Sequence, residues 1–266
     1  TLQIAHIDLI DEDLLKKDST KSIIHIYINP HENPAEAVSF VKERLDAENI
    51  PCEISLADCK AQDWVNNWKQ YFHAMPIGEK LLIRPEWEKD YDANGRIILN
   101  IEPGLAFGTG SHPTTRLCLE MLEEYVNDES TVLDIGCGSG ILSIAALLLG
   151  AKSAFGTDID ELAVKTAIEN AKKNGFEPPV FTAEKGNLSE CASGTYKIII
   201  ANIVADVVMK LNKDAGKFLD KHGVYITGGI IDSRKAEVEH SLEENGFDII
   251  ETRSEKGWNV FVCKKL

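Results

Sequence analysis

Long apolar runs, paired cysteines and an excess of basic residues are all missing from this sequence. No run approaches the ~18 apolar residues that a membrane-spanning helix needs, and the start shows no secretory pattern. The six cysteines form no C-x-x-C pair and the seven histidines are dispersed, so the spacing predicts no metal site. We expect a soluble, cytoplasmic protein with reduced thiols and no membrane partner.

Acidic residues dominate the charge, which is −15 at pH 7. A surface of that sign repels phosphate backbones and attracts cationic partners. A lysine-rich protein therefore fits as a partner better than free nucleic acid, and we expect no direct nucleic-acid binding. The alternative that the acidity serves only solubility stays open, and so does the oligomeric state.

The length of 266 residues and a hydrophobic content of 44% predict one large domain with a smaller unit. Residues 1–60 read as a small α/β domain, and residues 61–95 as a connector with a tryptophan-bearing helical stretch. Because the chain opens on Thr1 inside a strand-like run, we expect further sequence before it. Residues 96–266 form the large domain.

Strands and helices alternate regularly through most of the large domain. The apolar runs that predict strands span residues 131–135, 153–157, 180–182, 197–201, 223–230, 247–254 and 258–264. The helical patterns between them span residues 139–149, 160–174, 204–219 and 233–245. This order predicts an α/β fold with a doubly wound, mostly parallel seven-stranded Rossmann-like sheet, whose last two strands form an antiparallel hairpin.

A glycine-rich turn follows the first of these strands, in the run Val132–Gly140. Its D-x-G-x-G-x-G pattern brings the third glycine one residue too early for a dinucleotide site. Gly136 and Gly138 leave the backbone open to a ligand. Asp158, 22 residues after Gly136, ends the next strand, where a carboxylate can accept hydrogen bonds from ribose hydroxyls. Asp134 favours a cationic ligand over a pyrophosphate, although an empty strand-to-helix turn remains the alternative.

A second glycine-rich stretch, the signature segment of residues 102–116, precedes this turn. It carries the aromatic Phe107 in a loop that could fold over a ligand. It ends where Ser111 or His112 is placed to cap a helix, and Thr115 in the first turn offers a hydroxyl. From chemistry alone, a structural lead-in to the helix is an equally good interpretation.

Together, these motifs resemble known proteins. The strand, D-x-G-x-G-x-G turn, helix, strand and terminal acid resemble the S-adenosylmethionine-dependent methyltransferases, in which Gly136 would face the methionine moiety and Asp158 the ribose. The signature segment is similar to the P-G-x-A-F-G-T-G-x-H-P-T-T stretch of the PrmA family, the ribosomal protein L11 methyltransferases. This resemblance covers roughly residues 60–266. It implies cofactor contacts at Thr115, Gly136, Asp158 and Asn202, to which the turn glycine Gly138 and the loop aromatic Phe107 are added.

The resemblance also implies a protein N-methyltransferase that acts on amino groups of a ribosomal protein, recognised through residues 1–60. Asn202 is the expected catalytic residue, and its amide oxygen would hold the amine. The class often has D/N-P-P-Y there, whereas this chain has Asn202-Ile203-Val204-Ala205, so Phe107 or Trp258 would supply the aromatic face. We expect His112 to cap a helix rather than act as a base. A methyltransferase for another protein or a small molecule, and a noncatalytic binding module, are the alternatives.

Overall fold

The computed structural model describes residues 73–85, 87–88, 91–102 and 110–266. The predicted small domain of residues 1–60 lies outside these residues, as does the first part of the predicted connector, residues 61–72, with its tryptophan-bearing helical stretch. The division into domains therefore stays a prediction.

A small three-stranded sheet comes first among the described residues. Its strands are β1 (Met75–Ile77), β2 (Leu81–Pro85) and β3 (Ile97–Ile101); β1 pairs antiparallel and β3 parallel with β2. The buried Glu123 carboxylate accepts hydrogen bonds from three successive backbone N–H groups, two in the turn between β1 and β2 and one at the first residue of β2. That turn is thereby fixed to the helix that carries Glu123.

A seven-stranded sheet lies at the centre of the part of the chain that the structure describes, as the sequence predicted. Its strands are β4 (Thr131–Ile135), β5 (Ser153–Asp158), β6 (Phe181–Lys185), β7 (Tyr196–Asn202), β8 (Leu219–Ile231), β9 (Phe247–Glu255) and β10 (Trp258–Lys265). They lie in the order β6-β5-β4-β7-β8-β10-β9. All neighbours are parallel except at β10, which runs antiparallel to both β8 and β9. The doubly wound fold and the closing hairpin are confirmed.

Helices cover both faces of this sheet. They are α1 (Pro113–Tyr125), α2 (Ile141–Leu148), α3 (Glu161–Lys173), α4 (Ala205–Phe218) and α5 (Lys235–Glu244). Apolar residues of α1, α2 and α3 share one buried cluster with the small sheet, and those of α4 and α5 share the other. Within the described residues, no helix is long and apolar enough to cross a membrane.

Several predicted boundaries are wrong by a few residues, each for a local reason. Helix α2 begins at Ile141 and not at Ser139, because Gly140 has a left-handed φ of 80°. Strand β8 begins earlier than predicted, at Leu219, because it already pairs there with the start of β7. A short 3₁₀ turn, Asp232–Arg234, precedes α5 where the sequence predicted regular helix.

Candidate functional site

The carboxyl ends of the central parallel strands β4, β5 and β7 lie side by side, and the predicted site residues follow them. This edge of an open α/β sheet is where ligands bind, because the strand-to-helix turns leave a crevice there. Gly136 and Gly138 follow β4, Asp158 ends β5 and Asn202 ends β7. The fold therefore brings together residues that are up to 66 positions apart in the sequence.

The glycine turn after β4 is held against the end of β5. The backbone N–H groups of Gly136 and Cys137 both donate to the Thr157 carbonyl, at 2.8 and 3.0 Å. Gly136 and Gly138 have φ of 74° and 52°, a conformation that side chains disfavour. The Gly138 N–H donates to the Asp158 carboxylate at 2.9 Å. These two glycines and Asp158 thus form one connected unit.

Asp158 keeps hydrogen-bonding capacity for a ligand. Its Oδ2 accepts from Gly138, and its Oδ1 accepts from the N–H of Asp160 at 2.9 Å. Each carboxylate oxygen has about two acceptor positions, and the residue is only half-buried. Asp160 in turn caps helix α3, so the carboxylate is fixed at the point where β5 passes into that helix. Two hydroxyls of a ribose fit this arrangement.

Asp134 lies beneath the glycine turn and is 1% exposed. Its Oδ2 accepts from both the backbone N–H and the hydroxyl of Ser143, at 3.1 and 2.7 Å. Its Oδ1 is buried and has no hydrogen-bond partner among the described residues. Burial raises the pKa of this carboxyl from 3.8 to about 6. A carboxylate with these surroundings would be stabilised by a nearby cation.

The Asn202 amide is held by two threonine hydroxyls of the first turn of α1. Its Oδ1 accepts from the Thr114 hydroxyl at 2.8 Å, and its Nδ2 donates to the Thr115 hydroxyl at 3.2 Å. Thr114 also accepts from the backbone N–H of Gly229 at 2.6 Å, so its own proton is directed at Asn202. The chain of contacts fixes the amide with one acceptor position of Oδ1 still available.

Ile203 joins the two parts of the site. A Cβ on Gly136 would lie 2.4 Å from the Ile203 side chain, and a Cβ on Gly229 would lie 2.4 Å from the Ile203 carbonyl oxygen. Only glycine fits at either position, because real Cβ contacts are never that short. The Asn202 corner is thus packed directly against the glycine turn.

The histidine of the signature segment caps α1, as predicted. His112 is the N-cap, and its Nδ1 accepts from the Thr114 N–H at 3.3 Å. Its ring meets Trp258 edge to face, with centroids 4.5 Å apart. Trp258, proposed from sequence as an aromatic for the substrate, therefore lies beside the helix start that holds Asn202. Phe107, the other aromatic proposed, lies outside the described residues.

Two site residues were missed by the sequence reasoning. Thr114 was not distinguished from Thr115, although it is the one that donates to the Asn202 oxygen. Gly229 was not singled out, although its N–H donates to the Thr114 hydroxyl and so orients it. A Gly-Gly pair inside a strand pattern signals a close backbone approach, and this signal could have identified it.

The arrangement fits a cationic nucleoside. Three features lie together at the carboxyl edge of the sheet: open backbone at Gly136 and Gly138, the half-buried Asp158 carboxylate and the buried Asp134 carboxyl. S-adenosylmethionine carries a ribose, an amino group and a sulfonium, which match these features. Among the described residues, no cluster of His, Cys, Asp and Glu could hold a metal ion.

Comparisons with known proteins agree with this geometry. The family model described as Ribosomal protein L11 methyltransferase (PrmA) matches residues 3–266. Proteins named Ribosomal protein L11 methyltransferase from Clostridium botulinum and Clostridium perfringens are 37% and 36% identical over 263 residues, 97% of this chain and 83% of each relative. The crystal structure of ribosomal protein L11 methylase from Lactobacillus delbrueckii subsp. bulgaricus is 34% identical, with a TM-score of 0.69, covering 73% of this chain and 99% of that one.

The family match spans nearly the whole sequence, and the glycine turn, Asp158 and Asn202 lie together at one edge of the sheet. The chain therefore belongs to the ribosomal protein L11 methyltransferase (PrmA) family and is an S-adenosylmethionine-dependent methyltransferase.

Proposed function

We propose that this protein transfers methyl groups from S-adenosylmethionine to amino groups of ribosomal protein L11. The acceptors are lysine side chains, the N-terminal amine, or both. The relatives and the family are named for this substrate, and the charge of −15 suits a lysine-rich partner. We place the reaction in the cytoplasm, where free thiols such as those of Cys118 and Cys263 stay reduced.

The cofactor is proposed to lie along the glycine turn. Gly136 and Gly138 face it, the Asp158 carboxylate accepts its ribose hydroxyls, and Thr115, Asn202 and Phe107 complete the contacts. The Thr115 hydroxyl accepts from Asn202 and so keeps its own proton to donate. When bound, S-adenosylmethionine supplies an electrophilic methyl group on a sulfonium.

Asn202 is proposed to hold the acceptor amine. A free lysine has a pKa of about 10.4 and is mostly charged at neutral pH, so its nitrogen must lose a proton before it reacts. Desolvation beside apolar groups such as Ile203 and Trp258 favours the neutral amine. The free acceptor position on the Asn202 oxygen then aligns the nitrogen lone pair. The observation that carries this proposal is the fixed orientation of that oxygen, set by Thr114.

Replacing Asn202 tests the catalytic role. We expect Asn202→Ala to lower kcat for L11 about 100-fold, because misaligned reactants lose that order of rate. S-adenosylhomocysteine should still bind, as measured by calorimetry. Thr114→Val, which is isosteric but removes the donor to Asn202, should lower kcat by a smaller factor. Asn127→Ala, at an exposed asparagine in the turn before β4 and so at the opposite edge of the sheet from the site, serves as the control. Full turnover by Asn202→Ala would show that another group orients the amine.

Labelled S-adenosylmethionine and a mixture of ribosomal proteins test the substrate. We expect label in L11 alone. Label in a different protein, or only in a small molecule, would favour the alternative that the enzyme serves another acceptor. Binding of S-adenosylhomocysteine without any transfer would favour a noncatalytic role.

A further inference from the structure

Two asparagines on helix α3 and its end face the open edge of strand β3. The Asn174 side chain donates to the carbonyl of Asn100 at 2.7 Å and accepts from the N–H of the same residue at 2.8 Å. The Asn170 side chain accepts from the N–H of Glu102 at 3.1 Å and contacts its carbonyl at 3.3 Å. Each amide thus pairs with both backbone groups of one residue, as a neighbouring strand would.

The spacing makes this double pairing possible. Residues four apart on a helix are separated by about 6 Å along its axis, and residues two apart on a strand by about 6.8 Å. Asn170 and Asn174 therefore match Glu102 and Asn100. Helix α3 closes the edge of the small sheet with side chains instead of a fourth strand.

Asn170 makes one contact that Asn174 does not. Its Nδ2 donates to the carbonyl of Ser139, in the glycine turn, at 2.9 Å. Asn170 is 1% exposed. One turn earlier on α3, Ala167 lies so close that a Cβ on Gly140 would be 2.9 Å from its own Cβ. The helix is therefore packed and hydrogen-bonded directly onto the turn that the cofactor uses.

We propose that Asn170 is a positioning residue for the cofactor. Its amide ties the Ser139 peptide of the glycine turn to Glu102, the residue at which the signature segment begins. Asn170 lies 31 residues from Ser139 and 68 residues from Glu102 in the sequence. Both hydrogen bonds therefore exist only because the fold brings α3 against these segments. The inference rests on the proposed function, because it assumes that the cofactor lies along this turn.

The physical effect is preorganisation. A turn of three glycines loses much conformational freedom when it becomes ordered. If Asn170 already holds the Ser139 carbonyl, the cofactor does not bear that cost on binding. Loss of the Asn170 amide should therefore weaken cofactor binding more than it slows transfer from the saturated enzyme.

A pair of matched variants tests this role. Asn170→Ala and Asn174→Ala each remove one amide that pairs with β3, so both should lower Tm. Only Asn170→Ala removes the bond to Ser139. We expect it to raise the Kd of S-adenosylhomocysteine about tenfold, the factor that corresponds to one buried hydrogen bond. Asn174→Ala should leave this Kd within about twofold of the wild-type value.

A second variant covers the case in which Asn170→Ala does not fold. Asn170→Asp has the same shape and keeps an acceptor for the Glu102 N–H, but it loses both donors. We expect the same rise in Kd from it. With either variant, KM for S-adenosylmethionine should rise while kcat stays within about twofold, a split that a general loss of stability would not produce.

The outcomes separate the two proposals. If the wild-type protein binds and the Asn170 and Asn174 variants change the Kd equally, the positioning role of Asn170 is wrong and the proposed function stands. If the wild-type protein does not bind S-adenosylhomocysteine, the proposed function is wrong and this inference falls with it.

Discussion

Asp134 is a buried carboxylate whose two oxygens have unequal surroundings. Ser143 satisfies one, and the other has no partner within the described part of the chain. Burial raises its pKa to about 6, and the charge of Asp158 adds to the shift. An ionised Asp134 is therefore costly in the protein without cofactor, and a cation nearby would offset that cost.

The sign of this pKa shift predicts the pH dependence of stability. The folded protein holds the Asp134 proton more tightly than the unfolded chain, whose pKa is near 3.8. The stability that the folded protein gains from holding this proton is therefore fully present below about pH 4, and it is lost as the pH rises through about 6. A pKa difference of this size corresponds to on the order of 3 kcal/mol in the free energy of unfolding.

Asp134→Asn should remove this loss of stability at high pH, because an asparagine amide does not titrate. We expect its Tm without cofactor to exceed the wild-type Tm at pH 8 and to approach it at pH 5, where the wild-type carboxyl is mostly neutral. Affinity for S-adenosylmethionine at pH 8 should fall, because a negative charge beside a cation is lost. Thermal melts and calorimetry at both pH values measure these effects. Equal Tm differences at the two pH values would mean that Asp134 does not titrate in this range.

At the scale of elements, the turn after β7 and the end of β8 depend on one close approach. Gly229 has a φ of 81°, and its Cβ position lies 2.4 Å from the carbonyl oxygen of Ile203. Gly246, which follows α5, has a φ of 79° but nothing within 4 Å of its Cβ position. The pair separates the effect of backbone conformation from the effect of crowding.

Alanine at these two glycines should have different consequences. Gly246→Ala costs only the left-handed conformation, about 1–2 kcal/mol, and should leave kcat unchanged. Gly229→Ala adds a clash with backbone that cannot move without displacing Asn202. We expect a larger loss of Tm and a kcat at least about tenfold lower. If the two variants are equally stable and equally active, the close packing at Ile203 is not required for function.

For the whole molecule, charge is the property that bears on the substrate. The net charge of −15 should attract a basic ribosomal protein over a distance that salt screens. We expect KM for L11 to rise several-fold between about 50 and about 300 mM NaCl. The Kd of S-adenosylhomocysteine, which depends on short contacts inside the crevice, should change far less. A KM that does not respond to salt would show that recognition is mainly apolar.

The sequence alone determined the fold and the place of the glycine turn within it. Alternation of apolar strands and amphipathic helices is a local pattern, so the seven-stranded sheet and its closing hairpin were predictable. The D-x-G-x-G-x-G turn and Asp158 are also set by local spacing. Asn202, whose neighbours lack the usual prolines and aromatic, was identified only through resemblance to a family.

Tertiary structure alone decided which groups orient those residues. Thr114 meets Asn202 across 88 residues, and Asn170 meets Glu102 across 68. Periodicity and spacing report only on neighbours along the chain, whereas these hydrogen bonds depend on how α1 and α3 pack against the strands. At Gly229, the Gly-Gly pair of the sequence signals only that something approaches closely. The structure shows that this is the Ile203 backbone, in the turn after β7.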